Sequence, residues 1–119
     1  MYKLKYIHLT IVYILIISLL SHTPNDNLPE SGIGFSDIDK IFHFVVFFIL
    51  GLLIKFSLYE REISSQKAIV FTTITFGFSF ACIDELHQSF IRGRVCSVED
   101  LLFDFLGISL SFFNYKNFF

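Results

Sequence analysis

The feature that most constrains this chain is the run from Ile41 to Tyr59, rich in Ile, Leu, Val and Phe. It reaches the roughly 20 residues that a helix needs to cross a bilayer. Three further apolar runs accompany it, at about Tyr6 to Leu20, Ala68 to Ile83 and Val98 to Phe113. A chain of 119 residues that is 54% hydrophobic, with a mean hydropathy of +0.65, is too apolar for an ordinary soluble domain and too short for more than one domain. The sequence therefore predicts an all-α, polytopic membrane protein, with residues 1–119 forming a single four-helix transmembrane bundle. The spans are expected at about 6–22, 41–59, 68–84 and 98–114. The first gains length from Leu4 and His22; the fourth is interrupted by Glu99, Asp100 and Asp104, so it rests on Leu101 to Phe113 beneath a polar outer turn.

Lys3 and Lys5 ahead of a short apolar core also fit a cleaved signal peptide. The exit through Leu19, Leu20, Ser21, His22 and Thr23 lacks the small-x-small cleavage pattern, which favours a retained anchor. His22 to Asp39, with Pro24, Pro29, Gly32 and Gly34, reads as a long acidic loop without helical periodicity. Glu60 to Lys67 reads as a short link between antiparallel helices, and Leu86 to Ser97 as a third connection carrying Arg92, Gly93 and Arg94. With the N-terminus inside, Lys3, Lys5, Lys55, Arg61, Lys67 and Lys116 lie on the cytoplasmic side, and Lys40, Arg92 and Arg94 on the other. Six against three favours N-in and C-in, with the polar residues facing away from the cytoplasm.

The net charge of −2 and the lack of any basic block exclude a nucleic-acid partner. Cys82 and Cys96 give neither a zinc spacing nor a disulfide framework. Trp is absent, so interfacial anchoring falls to Tyr2, Tyr6, Tyr59 and Tyr115 near the predicted helix ends.

Helical spacing groups the polar residues. Lys40, His43, Phe47 and Gly51 form one stripe, Asp84, His87 and Gln88 a second, and Asp100, Asp104, Gly107 and Ser111 a third. The small residues of the third stripe let another helix approach closely, with the acids above the contact. All three stripes point to one pocket near the outer leaflet. An acid at mid-bilayer costs roughly 2.5 to 3.5 kcal/mol, so Asp104, a turn deeper than Asp100, needs a proton or a partner. Lys40, His43, Arg92 and Arg94 are the candidates.

These residues resemble the VanZ-like family of small bacterial membrane proteins, named for a protein associated with resistance to the glycopeptide teicoplanin. Asp39, Lys40, His43, Phe44, Phe48, Leu50 and Gly51 match its first motif. Asp84, Glu85, Gln88, Phe90, Gly93, Arg94, Ser97, Asp100 and Gly107 match its second. The chain departs where Ile91 and Arg92 replace a frequent proline, where Asp104 replaces an asparagine, and where Ser111 replaces a glycine. The resemblance implies a fold and a multi-pass location in the bacterial inner (cytoplasmic) membrane, and brings no established reaction.

The ligand-binding set expected from stripes and motifs together is Lys40, His43, Asp84, Glu85, Gln88, Arg94, Ser97 and Asp100. Arg94 would hold an anion such as a lipid phosphate or diphosphate, or a glycopeptide-like ligand, while Asp84, Glu85, Gln88 and Asp100 fix polar headgroup atoms. The same arginines could instead snorkel to headgroups around a plain turn at Gly93. Glu85, Asp84, Asp100 and His43 are the candidate catalytic groups if the protein is an enzyme acting on a lipid headgroup by acid–base chemistry. A third reading is an accessory subunit whose stripes mate with another membrane protein. No cofactor and no metal are expected, because no compact metal motif is present; oxygen ligands from the acids with His43 or His87 are the minor alternative. Ser97 suits an N-cap of the last helix, with Asp100 completing a capping-box-like start.

Overall fold

The computed structural model describes residues 5–21, 34–63, 65–91 and 98–112, with the side chains of 34–39 left aside. All regular structure among them is helical: α1 (Tyr6–Ser21), α2 (Gly34–Glu60), α3 (Gln66–Gln88) and α4 (Val98–Leu110).

The start of α2 corrects the loop expected over His22 to Asp39, because Gly34 to Asp39 is already helical. Gly34 is a turn-forming signal, yet Phe35, Ile38 and Phe42 recur in the sequence at helical spacing, so the helical period begins before the span. Helix α3 likewise runs through Gln88, so Leu86 to Gln88 belong to the helix and not to the connection. Its beginning is set by Ser65, whose Oγ accepts a hydrogen bond from the Ala68 N–H at 3.3 Å.

Between α2 and α3 the chain turns through a Schellman arrangement. The Ile63 N–H bonds the Leu58 carbonyl and the Glu62 N–H bonds the Tyr59 carbonyl, with Glu62 at φ 60°. Glycine usually fills that left-handed position; a glutamate occupies it here.

By length and composition Lys40–Glu60 and Gln66–Gln88, of 21 and 23 residues, are able to cross a bilayer. Helix α1 has 16 described residues, and α4 has 13 and is shorter than the span expected for it. At about 1.5 Å per residue, α4 is roughly 20 Å long, against about 30 Å of hydrocarbon. It ends because its last turn tightens: the Ser111 N–H bonds both the Gly107 and Ile108 carbonyls, and Lys55 Nζ donates to the Ser111 carbonyl at 2.5 Å. A buried cation thus closes one of the orphan acceptors at that helix end.

Phe47, Leu50, Ile54, Ala81 and Ile108 form the apolar centre of the bundle. Helices α2 and α4 make its closest contact. A Cβ at Gly107 would run into the Phe44 carbonyl and lie 2.9 Å from the Phe48 nitrogen, so backbone packs on backbone there. Helix α1 is fastened to α2 by polar bonds: Thr10 Oγ1 to Ser57 Oγ at 3.0 Å, Tyr13 OH to the Val46 carbonyl at 2.7 Å, and the Tyr6 N–H to Glu60 Oε2 at 2.9 Å.

Large apolar side chains lie on the surface, while ionisable groups are buried beside the apolar centre. Leu19, Phe71 and Ile83 are 73%, 71% and 64% exposed, whereas His43, Lys55, Asp84, Glu85, Asp100 and Asp104 are buried.

Candidate functional site

One pole of the bundle collects the polar ends of α2, α3 and α4. On α2 the residues His43, Phe47 and Gly51 follow one another along a buried face, so the imidazole stands above the aromatic and the close helix contact. Four residues on along α4 from Asp100, Asp104 lies on the same face, and Gly107 and Ser111 continue it, all buried. On α3 the buried face runs Thr73, Gly77, Ala81, then Asp84, Glu85 and Gln88.

That α3 face differs from the stripe expected from spacing. His87 is exposed and Glu85, only 1% exposed, takes the inward position. Spacing alone allows either neighbour of Asp84 and Gln88. The choice is made by where α2 and α4 pack, which the sequence of α3 does not contain.

His43 is the centre of the cluster. Its Nδ1 lies 2.9 Å from Asp104 Oδ1 and 4.0 Å from Glu85 Oε1, while its Nε2 lies 3.8 Å from Asp100 Oδ2. One ring therefore faces carboxylates on both of its nitrogen edges. Asp84 and Asp100 are near enough for their charges to act on Asp104. Asp104 is 0% exposed, and its second oxygen, Oδ2, has no hydrogen-bond partner among the described residues. Gln88 Nε2 donates to Ser21 Oγ at 3.3 Å, which ties the end of α1 to the same pole.

Lys40 stands at the rim, where its Nζ pairs with Glu99 Oε2 at 2.6 Å. Of the partners considered for Asp104, the structure places His43 against it. Arg94 and Ser97, with Arg92, Gly93 and Cys96, lie outside the described residues, and so does the proposed cap of α4. Helix α4 does open with Glu99 and Asp100 in its first turn, where acids favour the helix dipole. Sequence reasoning named Asp104 as a stripe member but left it out of the binding set. Its four-residue spacing from Asp100 was the available signal.

Chemically the cluster offers an imidazole within reach of several carboxylate oxygens in a setting shielded from water, which suits proton exchange, cation binding or both. His43, Glu85 and Asp104 bring one ligand atom each to within 4.8 Å of one another. Beside the cluster runs an apolar groove of about 410 Å³ between Leu15 and Leu19 of α1 and Phe80 and Ile83 of α3, with Asp84 and His87 at its polar end.

No curated protein and no solved structure shows significant similarity to this chain. The VanZ/LLP1 family model, in contrast, matches residues 2–119, and the chain belongs to that family.

Proposed function

We propose that this VanZ-like chain is a multi-pass protein of the bacterial cytoplasmic membrane, N-in and C-in, whose polar pocket faces outward and binds the headgroup of an anionic lipid-linked ligand. The observation that carries the reading is the convergence of buried His43, Asp84, Glu85, Gln88, Asp100 and Asp104 at one pole. Ionisable groups are costly in such surroundings and a bundle needing only cohesion is served by leucine, so their concentration points to a site. The groove between α1 and α3 supports a lipid in particular, because an apolar chain lying along Leu15 and Phe80 would deliver its headgroup to Asp84 and His87. Arg94 supplies an anion-binding fork, and a contribution to teicoplanin resistance follows from the family likeness.

A second reading, an enzyme acting on the headgroup, is favoured by one observation. The His43 ring sits between Asp104 and Asp100, an arrangement that can take a proton from one side and return it on the other. Glu85, Asp84, Asp100 and His43 remain its candidate catalytic groups.

Binding of a polyprenyl diphosphate to the purified chain in detergent, followed by native mass spectrometry, tests the first reading. Arg94→Ala and Gln88→Ala are expected to weaken it; equal binding by both variants and the parent removes the pocket from the account. Turnover of the same lipid, lost in Glu85→Gln while binding persists, establishes the enzyme. Cells expressing the parent are expected to tolerate more teicoplanin than cells expressing Arg94→Ala, and parity with empty vector ends the resistance reading. In a Cys82→Ser background, Cys96 should react with an impermeant maleimide in intact cells; protection reverses the orientation.

A further inference from the structure

We propose that His43, Glu85 and Asp104 together bind a single divalent transition-metal cation of the manganese or zinc class, and that this cation receives the anionic headgroup. The inference rests on the pocket reading above and gives it the positive charge that its acid-rich walls do not supply by themselves.

Three helices contribute one donor each, His43 from α2, Glu85 from α3 and Asp104 from α4, all buried. Their ligand atoms lie within 4.8 Å of one another. A cation bonded at about 2.1 Å holds its ligands roughly 3 to 4 Å apart, so small side-chain rotations close the set. The orientation of the imidazole fits the same purpose. Nδ1 faces the two carboxylates that would share the ion, at 2.9 and 4.0 Å, and Nε2 faces Asp100 Oδ2 at 3.8 Å. With a cation at Nδ1 in place of its present hydrogen bond to Asp104, and the Asp100 contact shortened, this becomes a carboxylate–histidine–metal triad, in which an outer acid takes the distal N–H and leaves the other nitrogen its lone pair.

A second and independent observation is Asp104 Oδ2. It is enclosed and lacks a hydrogen-bond partner among the described residues, although the carboxylate belongs to a residue that is 0% exposed. Buried acceptors are nearly always satisfied, and a bound cation would satisfy this one. One nitrogen and carboxylate oxygens form a mixed donor set that suits manganese or zinc better than the all-oxygen shells of calcium and magnesium. Three protein ligands leave at least one coordination position open, where a phosphate oxygen of the headgroup can bind.

The test uses the full chain purified in detergent and stripped with a chelator. Titration with MnCl₂, followed by electron paramagnetic resonance and by competition with ZnCl₂, is expected to find one tight site per chain. Pulsed spectra should show a nitrogen coupling that His43→Gln abolishes. Glu85→Gln and Asp104→Asn should weaken the affinity by well over tenfold, and Asp100→Asn by roughly 10- to 100-fold through the outer shell. Bound Mn²⁺ should also raise the unfolding temperature of the unaltered protein, a readout that no variant's folding can confuse. A parent protein that takes up neither ion at millimolar concentration, or affinities unchanged in Glu85→Gln and Asp104→Asn, overturns the inference. If polyprenyl diphosphate still binds such a metal-indifferent protein, the proposed function stands without the cation. Cation binding without lipid binding leaves the metal site and removes the headgroup.

Discussion

The imidazole of His43 and the carboxylate of Asp104 meet at 2.9 Å although 61 residues separate them in the chain. Both are buried, and their contact joins the N-terminal half of α2 to the middle of α4. Removing one partner of such a pair leaves a polar group stranded, which typically costs about 3 to 5 kcal/mol. Replacing both removes the stranded group as well. His43→Leu and Asp104→Leu are each expected to destabilise by that order, and the double variant by clearly less than their sum. Unfolding of the four proteins in one detergent measures the coupling; additivity within about 0.5 kcal/mol shows that the two side chains act separately.

The glycines at helix contacts should rank by what they touch. Gly107→Ala pushes a methyl group against the Phe44 carbonyl and the Phe48 nitrogen, and backbone does not step aside. The cost is expected at about 1 to 3 kcal/mol. Gly77→Ala meets the Cδ1 end of Ile108, a movable group, at 2.9 Å. Its steric cost is offset by roughly 1 kcal/mol of helix propensity, so it should lie near the parent protein. Melting temperatures that rank the two the other way would sink this account of the α2–α4 contact.

Glu62 holds φ at 60° in the turn between α2 and α3 and is exposed. A side chain there costs roughly 1 to 2 kcal/mol that glycine does not incur. Glu62→Gly is expected to raise stability by about 1 kcal/mol after its greater freedom in the unfolded chain is counted. A lowered unfolding midpoint would mean that Glu62 makes a compensating contact.

Lys55 is 9% exposed, and its ammonium group donates to the Ser111 carbonyl at the end of α4. Lys55→Met keeps the apolar stem and deletes the donor. A loss of about 1 to 3 kcal/mol is expected, concentrated in the last turn of α4. Hydrogen exchange should quicken at Gly107 to Phe112 while α3 keeps its protection; uniform loss of protection would show a general packing defect instead.

Periodicity made much of this arrangement legible. His43, Phe47 and Gly51, and likewise Asp100, Asp104, Gly107 and Ser111, could be assigned to common faces because helical spacing alone determines it. Composition misled at Gly34 to Asp39, where turn-forming residues disguised the first turns of α2. On α3, spacing could not choose between Glu85 and His87, since the inward direction is set by neighbouring helices. The pairing of His43 with Asp104 was one of several cations weighed against that acid, and only the crossing of α2 and α4 selects it. The proposed metal ligands His43, Glu85 and Asp104 lie on three different helices, so no compact motif marks them and the sequence offers acids with His43 only as a minor reading.

The backbone contact at Gly107 also bears on which changes in chain length this fold can absorb. Each helical residue advances the side-chain direction by about 100°. A residue inserted between Asp104 and Gly107 would leave α4 seated on α2 while swinging the carboxylate away from His43. The same insertion beyond Phe112 would pass below the joint and leave every atom of the cluster in register. Gly107 is therefore the index mark from which α4 is measured: added residues between it and Asp104 break the site, and added residues after Phe112 spare it.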